Sequence, residues 1–484
     1  MLFFLKLRTS EMIMQRPFIK PNRKSKFVTI SPLGLALTAC GGGSGEERPD
    51  VISTVDTHSD FVTFDLTGND FIDASTQGSK WVPTDGVITF ALADGFNGER
   101  WANPDEALES LSSAMQQIAD FTNLEVKNLG HFGNLEIAGE MGATIVASLD
   151  GQNAFFDQGS TAWAFAYYPL SQTYERAGGD IYFNLNSPIN KFTNDAAYLA
   201  GGIAHAVFLH ELGHAFGLKH PFDNTNGRPT YEDVGFGSYN DMRYTVMSYD
   251  DEFGDMLNAP ATFMLGDALA LMSLYGVNYS TNTGNDTYSF DDLSFRTTIW
   301  DADGTDTIDL SACNNDVRVE LTTYYSTADL GFEYGFVVID ANSDDEKFMG
   351  IMGEFENVTC GSGNDLVYGD ENNNVIIGGT GNDEIYGRDG DDVIFGGAGD
   401  DWIVGGIGDD NLAGGAGADT FIIGLGHGSD TIVDFQDNID QVRFYVDDQG
   451  NNPFTGRSAS DEGFLVYNLV DGSSITLDGI LYIA

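Results

Sequence analysis

The chain has 484 residues, 74 acidic and 22 basic, and a net charge of −52; its 42% hydrophobic content excludes disorder as the main state. At about 150 residues per domain, roughly three domains with ample core are expected. Eight of the basic residues fall in the first fifty positions, so 70 carboxylates face 14 cations from position 51 onward, a surface that repels phosphate backbones and excludes nucleic-acid binding.

Residues 1–39 read as a signal peptide. Basic residues through Lys26 precede a short apolar run, Phe27 to Ala39, too short to span a bilayer but suited to a signal core. Leu37-Thr38-Ala39-Cys40 followed by Gly41-Gly42-Gly43-Ser44-Gly45 resembles a lipoprotein cleavage site. Cys40 would then be acylated and the glycine stretch would tether the chain to the outer membrane; the plainer alternative is an ordinary signal peptide with an incidental Cys40. Residues 40–77 show no clear period and read as linker or pro-segment. With Cys40, Cys313 and Cys360 as the only cysteines, a disulfide-stapled scaffold is excluded. A Cys313–Cys360 bond and two unpaired small residues are both open.

Residues 78–280 read as an α+β domain. Strands are expected at 87–92, 143–148, 163–168 and 180–184. Asn103-Pro104-Asp105-Glu106 starts a helix, by proline in the first turn and acids against the dipole. Leu108, Leu111, Met115 and Ile118 follow at helical spacing. A second helix is expected over 200–216 and a third over 263–275, closed by Gly276.

The second helix carries His210-Glu211-Leu212-Gly213-His214, then Gly217 and His220. His210 and His214 are four apart and leave one helical face, so both can bind one ion. Gly217 permits a left-handed turn that swings His220 back as a third ligand. Three neutral nitrogens leave a fourth position for water, the arrangement of a catalytic zinc. Glu211 is placed to take a proton from that water and pass it to a leaving amine. Chance surface histidines are the alternative, but five residues fixed across eleven positions argue against it. His205 reads as helix surface or support, and His58, His131 and His427 as solvated.

His210 to His220 match the long zinc motif of the metzincins. Thr245-Val246-Met247-Ser248-Tyr249, after His220-Pro221, is similar to the serralysins in particular. The resemblance implies that Met247 forms an apolar floor under zinc. It also implies that Tyr249 is an additional ligand that swings away to stabilise the oxyanion. Residues 163–169 resemble that family's edge strand, along which an extended peptide pairs, and 179–183 resemble the next strand inward.

From Cys360 the sequence repeats every nine residues through 422: CGSGNDLVY, GDENNNVII, GGTGNDEIY, GRDGDDVIF, GGAGDDWIV, GGIGDDNLA and GGAGADTFI. Such a period is a parallel β-roll that binds calcium; a Gly/Asp low-complexity spacer would not keep an apolar eighth position in every unit. Two units make a coil, which stacks Asp383 over Asp365, Asp401 over Asp383, Asp419 over Asp401 and, on the other side, Asp410 over Asp392. Each pair can clamp calcium with turn carbonyls completing the shell. Asn374 and Asn372 break the pattern in the second unit, whose site is expected to be weak or absent. Segments 284–288 and 299–309 resemble the start of the serralysin C-terminal domain and 430–435 its closing strands, so 281–484 reads as such a domain, the resemblance running to about 440.

Together these readings give an α+β metzincin domain followed by an all-β parallel roll, in a monomer that is secreted or tethered through Cys40. It is expected to be a zinc endopeptidase for extracellular proteins or peptides, stabilised by calcium. The competing class is a calcium-dependent adhesion protein with a restricted or vestigial protease domain.

Overall fold

The computed structural model describes residues 3–5 and 59–481, apart from 84, 96–97, 152–155, 157–161, 170–177, 187–194, 225–226, 250–258, 292–295, 323–333, 340–346, 446–453 and 461–463. Cys40 and His58 lie outside the described residues. The chain divides into two compact units: one holds Pro32–Thr281 with Phe295–Ala302, the other Met1–Ser31, Asn282–Ser294 and Asp303–Ala484.

In chain order the first unit contains β1 (Ser59–Thr63), α1 (Asp70–Ser75), β2 (Ser79–Pro83), β3 (Val87–Ala93), α2 (Pro104–Phe121), β4 (Glu125–Phe132), α3 (Leu135–Glu140), β5 (Ile145–Asp150), β6 (Ala164–Ala166), β7 (Ile181–Asn184), α4 (Ile203–Ala215) and α5 (Leu265–Tyr275). Five strands form one sheet in the order β4-β3-β5-β7-β6, parallel except for β6, which runs antiparallel to β7 at the edge. Strand β5 is buried at every position, as expected for an inner strand covered on both faces. Helix α2 begins at the expected proline and buries Leu111, Met115 and Ile118. Helix α4 is buried from Ala204 to Ala215, so it is a central helix with no solvent face. It starts at Ile203 instead of 200, because Gly201 takes a left-handed φ of +76° just before it.

The segment expected to be linker or pro-segment is folded from residue 59 onward. Strands β1 and β2 pair antiparallel, Phe61 opposite Trp81, and α1 lies between them in sequence. Three contacts tie this segment to the end of α4. The Trp81 indole donates to the Ala215 carbonyl at 2.8 Å, which satisfies one of the carbonyls a helix end leaves unpaired. The amide of Lys219 donates to the Ser75 carbonyl and that of Gln77 to the Gly217 carbonyl. Gly217 has φ +97°, and a Cβ there would collide with the Ser79 carbonyl. The left-handed turn expected at this glycine is therefore also a point of close approach.

The second unit is built on a stack of short parallel strands in two sheets, to which antiparallel strands at Tyr334–Ile339, Lys347–Met352, Phe454–Ala459 and Phe464–Leu469 are added. One face carries Thr287–Ser289, Thr307–Asp309, Asn357–Thr359, Val375–Thr380, Val393–Ala398, Asn411–Ala416, Ser429–Ile432 and Ser474–Leu481 in succession. The other carries Val317–Glu320, Leu366–Tyr368, Glu384–Asp389, Trp402–Ile407, Thr420–Ile423 and Gln441–Tyr445. The parallel stack thus extends on both sides of the 360–422 repeats. Val367, Ile376, Ile385, Ile394, Ile403, Leu412 and Phe421, the apolar eighth positions, are all fully buried. Cys313 and Cys360 are buried and not disulfide-bonded.

Candidate metal centre

Helix α4 and the turn that follows it bring His210, His214 and His220 together, with one nitrogen of each ring within 4.8 Å of the others. Their Nδ1 atoms face acceptors that can only accept. His210 donates to the Val246 carbonyl at 2.7 Å, His214 to the Leu218 carbonyl at 3.0 Å, and His220 to the Asp223 carboxylate at 2.7 Å. Each Nδ1 therefore carries the proton, and each Nε2 presents a lone pair. The Nε2 atoms of His214 and His220 are 3.1 Å apart, and those of His220 and His210 3.3 Å. Three lone pairs pointed at one another repel unless a cation sits between them. In a tetrahedral site with zinc–nitrogen bonds of about 2.0–2.1 Å, ligand nitrogens lie roughly 3.3 Å apart, so the donor set and its spacing fit zinc.

Electrostatics keep the site in its ligating form. Burial, reinforced by neighbouring His220, lowers the His210 imidazole to about 3 and opposes the stabilising hydrogen bond to Val246. Burial likewise pushes His214 well below its ordinary value. Glu211 follows His210 on α4 and is buried. The Tyr249 hydroxyl lies 2.7 Å from His220 Nε2, and its ring stacks on His210 with centroids 5.5 Å apart. Met247 is fully buried against α4, its sulfur nearest Gly213. At the end of edge strand β6, the Tyr168 ring meets His214 edge-on.

Three supporting residues were not expected from the sequence. Asp267, on α5, accepts from the Thr245 hydroxyl at 2.6 Å and from the amides of Val246 and Met264; burial raises its carboxyl to about 7. It thereby fixes the turn whose Val246 carbonyl orients His210. Asp223 orients His220, and its place three residues after that ligand was the available signal. The buried Lys219 donates to the carbonyls of Asp223 at 2.6 Å and His220 at 3.4 Å. Burial lowers its ammonium to about 8.

Of the two places expected for His205, helix surface or support, the structure excludes the surface. It is buried, with Nδ1 2.9 Å from the Ser110 hydroxyl and Nε2 donating to the Ala261 carbonyl at 3.0 Å. It holds α2 and α4 together. His131 pairs with Asp94 at 2.9 Å. His427 also departs from the solvated reading: burial lowers its ring to about 4.

In the roll, the expected aspartates stack with the eighteen-residue offset. Asp383 Oδ1 accepts from the Asp365 amide, Asp401 from Asp383, Asp419 from Asp401 and Asp410 from Asp392. The ladder continues beyond the repeats, with Asp430 accepting from Asp410 and Asp440 from Asp419. In Asp365, Asp383, Asp392, Asp401, Asp410, Asp419 and Asp430 the second oxygen, Oδ2, is buried with no hydrogen-bond partner among the described residues. A buried bare carboxylate oxygen is costly, and hard oxygen donors suit calcium. Asn374, by contrast, spends its side chain on Asp370, accepting from its amide and donating to its carboxylate.

The chain is similar in part to known proteins. Residues 361–394, 368–401, 386–421 and 395–432 match the RTX calcium-binding nonapeptide repeat. Serralysin C of Dickeya chrysanthemi is 33% identical over 226 residues, 42% of each chain. Metallopeptidase AprA of Pseudomonas marginalis is 30% identical over 343 residues, 64% of this chain and 63% of that one. Serralysin of Photorhabdus laumondii is 33% identical over 246 residues, 46% of this chain and 47% of its own.

The chain is similar to serralysins over part of its length. It spans between about two fifths and two thirds of the length of these relatives. The structure brings His210, His214, His220 and Tyr249 together, buries Glu211 beside His210 and packs Met247 by Gly213, and the six repeat aspartates form the ladder.

Proposed function

We propose that the chain is a zinc-dependent endopeptidase of metzincin architecture that hydrolyses peptide bonds of proteins outside the cell, with a calcium-stabilised roll. The observation that carries this reading is the convergence of three Nε2 lone pairs, each fixed by an acceptor on its Nδ1. His210, His214 and His220 would hold the metal. Zinc held there acidifies a water and polarises a carbonyl.

The protein's own groups do the rest. The extended substrate adds a strand along β6, whose outer edge faces away from β7. Glu211 accepts a proton at its carboxylate and returns it to the leaving amine. The Tyr249 hydroxyl leaves His220 and donates to the oxygen on which charge develops. Met247, buried against Gly213, keeps the floor of the site dry.

A casein digestion assay tests the reading. Activity should vanish with a chelator and return with zinc, and one zinc per chain should be found by elemental analysis. A zinc-loaded protein that digests nothing would favour the adhesion reading, which the serralysin relatives do not support. A lipid anchor at Cys40 is a separate proposal resting on the 37–45 sequence. Mass spectrometry of the mature N-terminus checks it, and an unmodified Cys40 in a soluble exported chain would refute it.

A further inference from the structure

Phe222 is a large apolar side chain left 42% exposed at the rim of a centre whose ligands are buried. It follows Pro221, two positions after the ligand His220. Its ring lies parallel to the His220 imidazole, with centroids 4.9 Å apart and planes 7° from each other. It also lies 5.2 Å from the Tyr249 ring, which in turn is 4.7 Å from His220. Two ring contacts hold the phenyl in place, yet much of its surface still faces water. A phenyl fixed in that way beside the reacting groups gains by being covered, and the molecule that arrives there is the substrate.

The edge strand gives a second bearing. Strand β6 reaches the centre through Tyr168, whose ring meets His214, whereas Phe222 and Tyr249 stand at His220. A peptide paired along β6 with its scissile bond at the three histidines meets Phe222 with a side chain adjacent to that bond. We infer that Phe222 is a specificity-determining residue: it is the apolar wall of a subsite for the side chain next to the scissile bond, and it favours a large apolar side chain there, above all an aromatic one. This rests on the endopeptidase reading. A carboxylate at that position would be desolvated against a phenyl face without a partner, and alanine would leave the face uncovered.

The test uses the full-length, zinc- and calcium-loaded protein and matched peptides carrying Phe, Leu, Ala, Lys or Glu at each position beside the scissile bond. For one of these positions kcat/KM should favour Phe over Ala by about tenfold or more, the scale for one apolar contact in a pocket. Phe222→Ala should collapse that ratio toward one, and Phe222→Leu should retain part of it. On a Glu211→Ala background the same ratio should appear in peptide Kd, free of turnover. A uniform fall for all peptides with the ratio unchanged would mean that Phe222 only supports His220, and the inference fails. A preference for Lys over Phe, the signature of a cation over the ring, also overturns it. A zinc-loaded wild type that cleaves none of the peptides overturns the endopeptidase reading instead, and this inference with it.

Discussion

Gly213 and Met247 are interlocked: a Cβ on Gly213, between His210 and His214 on α4, would collide with the Met247 sulfur. The glycine of the zinc motif is thus the surface on which the methionine of the downstream turn rests. Gly213→Ala should overpack this contact and cost about 1–3 kcal/mol. Met247→Ala should leave a cavity worth about 2–5 kcal/mol. Because the two side chains occupy the same space, the double variant should be less destabilised than the sum of the two, by at least about 0.5 kcal/mol. Urea unfolding of the four proteins measures this, and strict additivity would show that the contact is not made.

Glu211 is assigned the proton and no metal bond. Glu211→Ala should therefore keep one zinc per chain and lose hydrolysis by at least about a hundredfold. Turnover at the wild-type rate would remove Glu211 from the mechanism. Loss of zinc along with activity would mean that the carboxylate shapes the ligand set.

Asp267 acts on His210 through Val246. Its carboxylate accepts the Val246 amide at 2.7 Å, and the Val246 carbonyl accepts His210 Nδ1 at the same distance. Asp267→Ala should free the turn and weaken zinc affinity about 10- to 100-fold, the usual effect of losing an outer-shell partner. Asp267→Asn keeps one acceptor oxygen and should lose much less. Competition with a zinc-binding dye reads both, and equal affinities in all three proteins would dismiss the relay.

How legible this molecule is from its sequence follows the range of the interactions. His210 and His214 could be read because 3.6-residue geometry places them on one helical face, Glu211 because it adjoins the first of them, and the roll because its period is printed in the chain. Residues 59–83 could not, because what orders them is remote: the Trp81 indole on the Ala215 carbonyl and the Ser79 carbonyl under Gly217. His205 could be read as surface or support but not decided, since only packing of α2 and the Ala261 carbonyl makes it internal. Asp267 sits in an ordinary apolar helix and reveals its role only when the turn folds onto it. The roll runs past its repeats for a related reason. Asp430 and Asp440 continue the ladder at offsets of twenty and twenty-one residues, where the nine-residue period has been lost but the backbone partner has not.

The ladder makes the roll sensitive to pH in a direction that calcium should cancel. Burial raises Asp392 to about 8, Asp401 to about 7, and Asp365 and Asp383 to about 6, from an ordinary 3.8. A carboxyl that ionises less readily in the folded state adds stability below pH about 4, and that stability is lost as pH climbs through the folded values. In chelator the roll should therefore hold together best in acid and loosen between about pH 5 and 8. Saturating calcium favours the ionised form and binds only the folded coils, so it should abolish or reverse that trend. Hydrogen exchange of peptides from 360–432 in the full-length protein, at pH 5 and pH 8 with rates corrected for intrinsic exchange, separates the cases. Asp401→Asn sharpens the test: it can still accept the Asp383 amide through its one carbonyl oxygen but lacks the charge on Oδ2. That variant should need less calcium than the wild type to stay folded at pH 8, yet bind fewer ions by calorimetry. It should lose more than one site's worth, because Asp401 is a rung between Asp383 and Asp419. A chelated roll better protected at pH 8 than at pH 5 would show that these buried carboxylates are stabilised by something other than a bound cation.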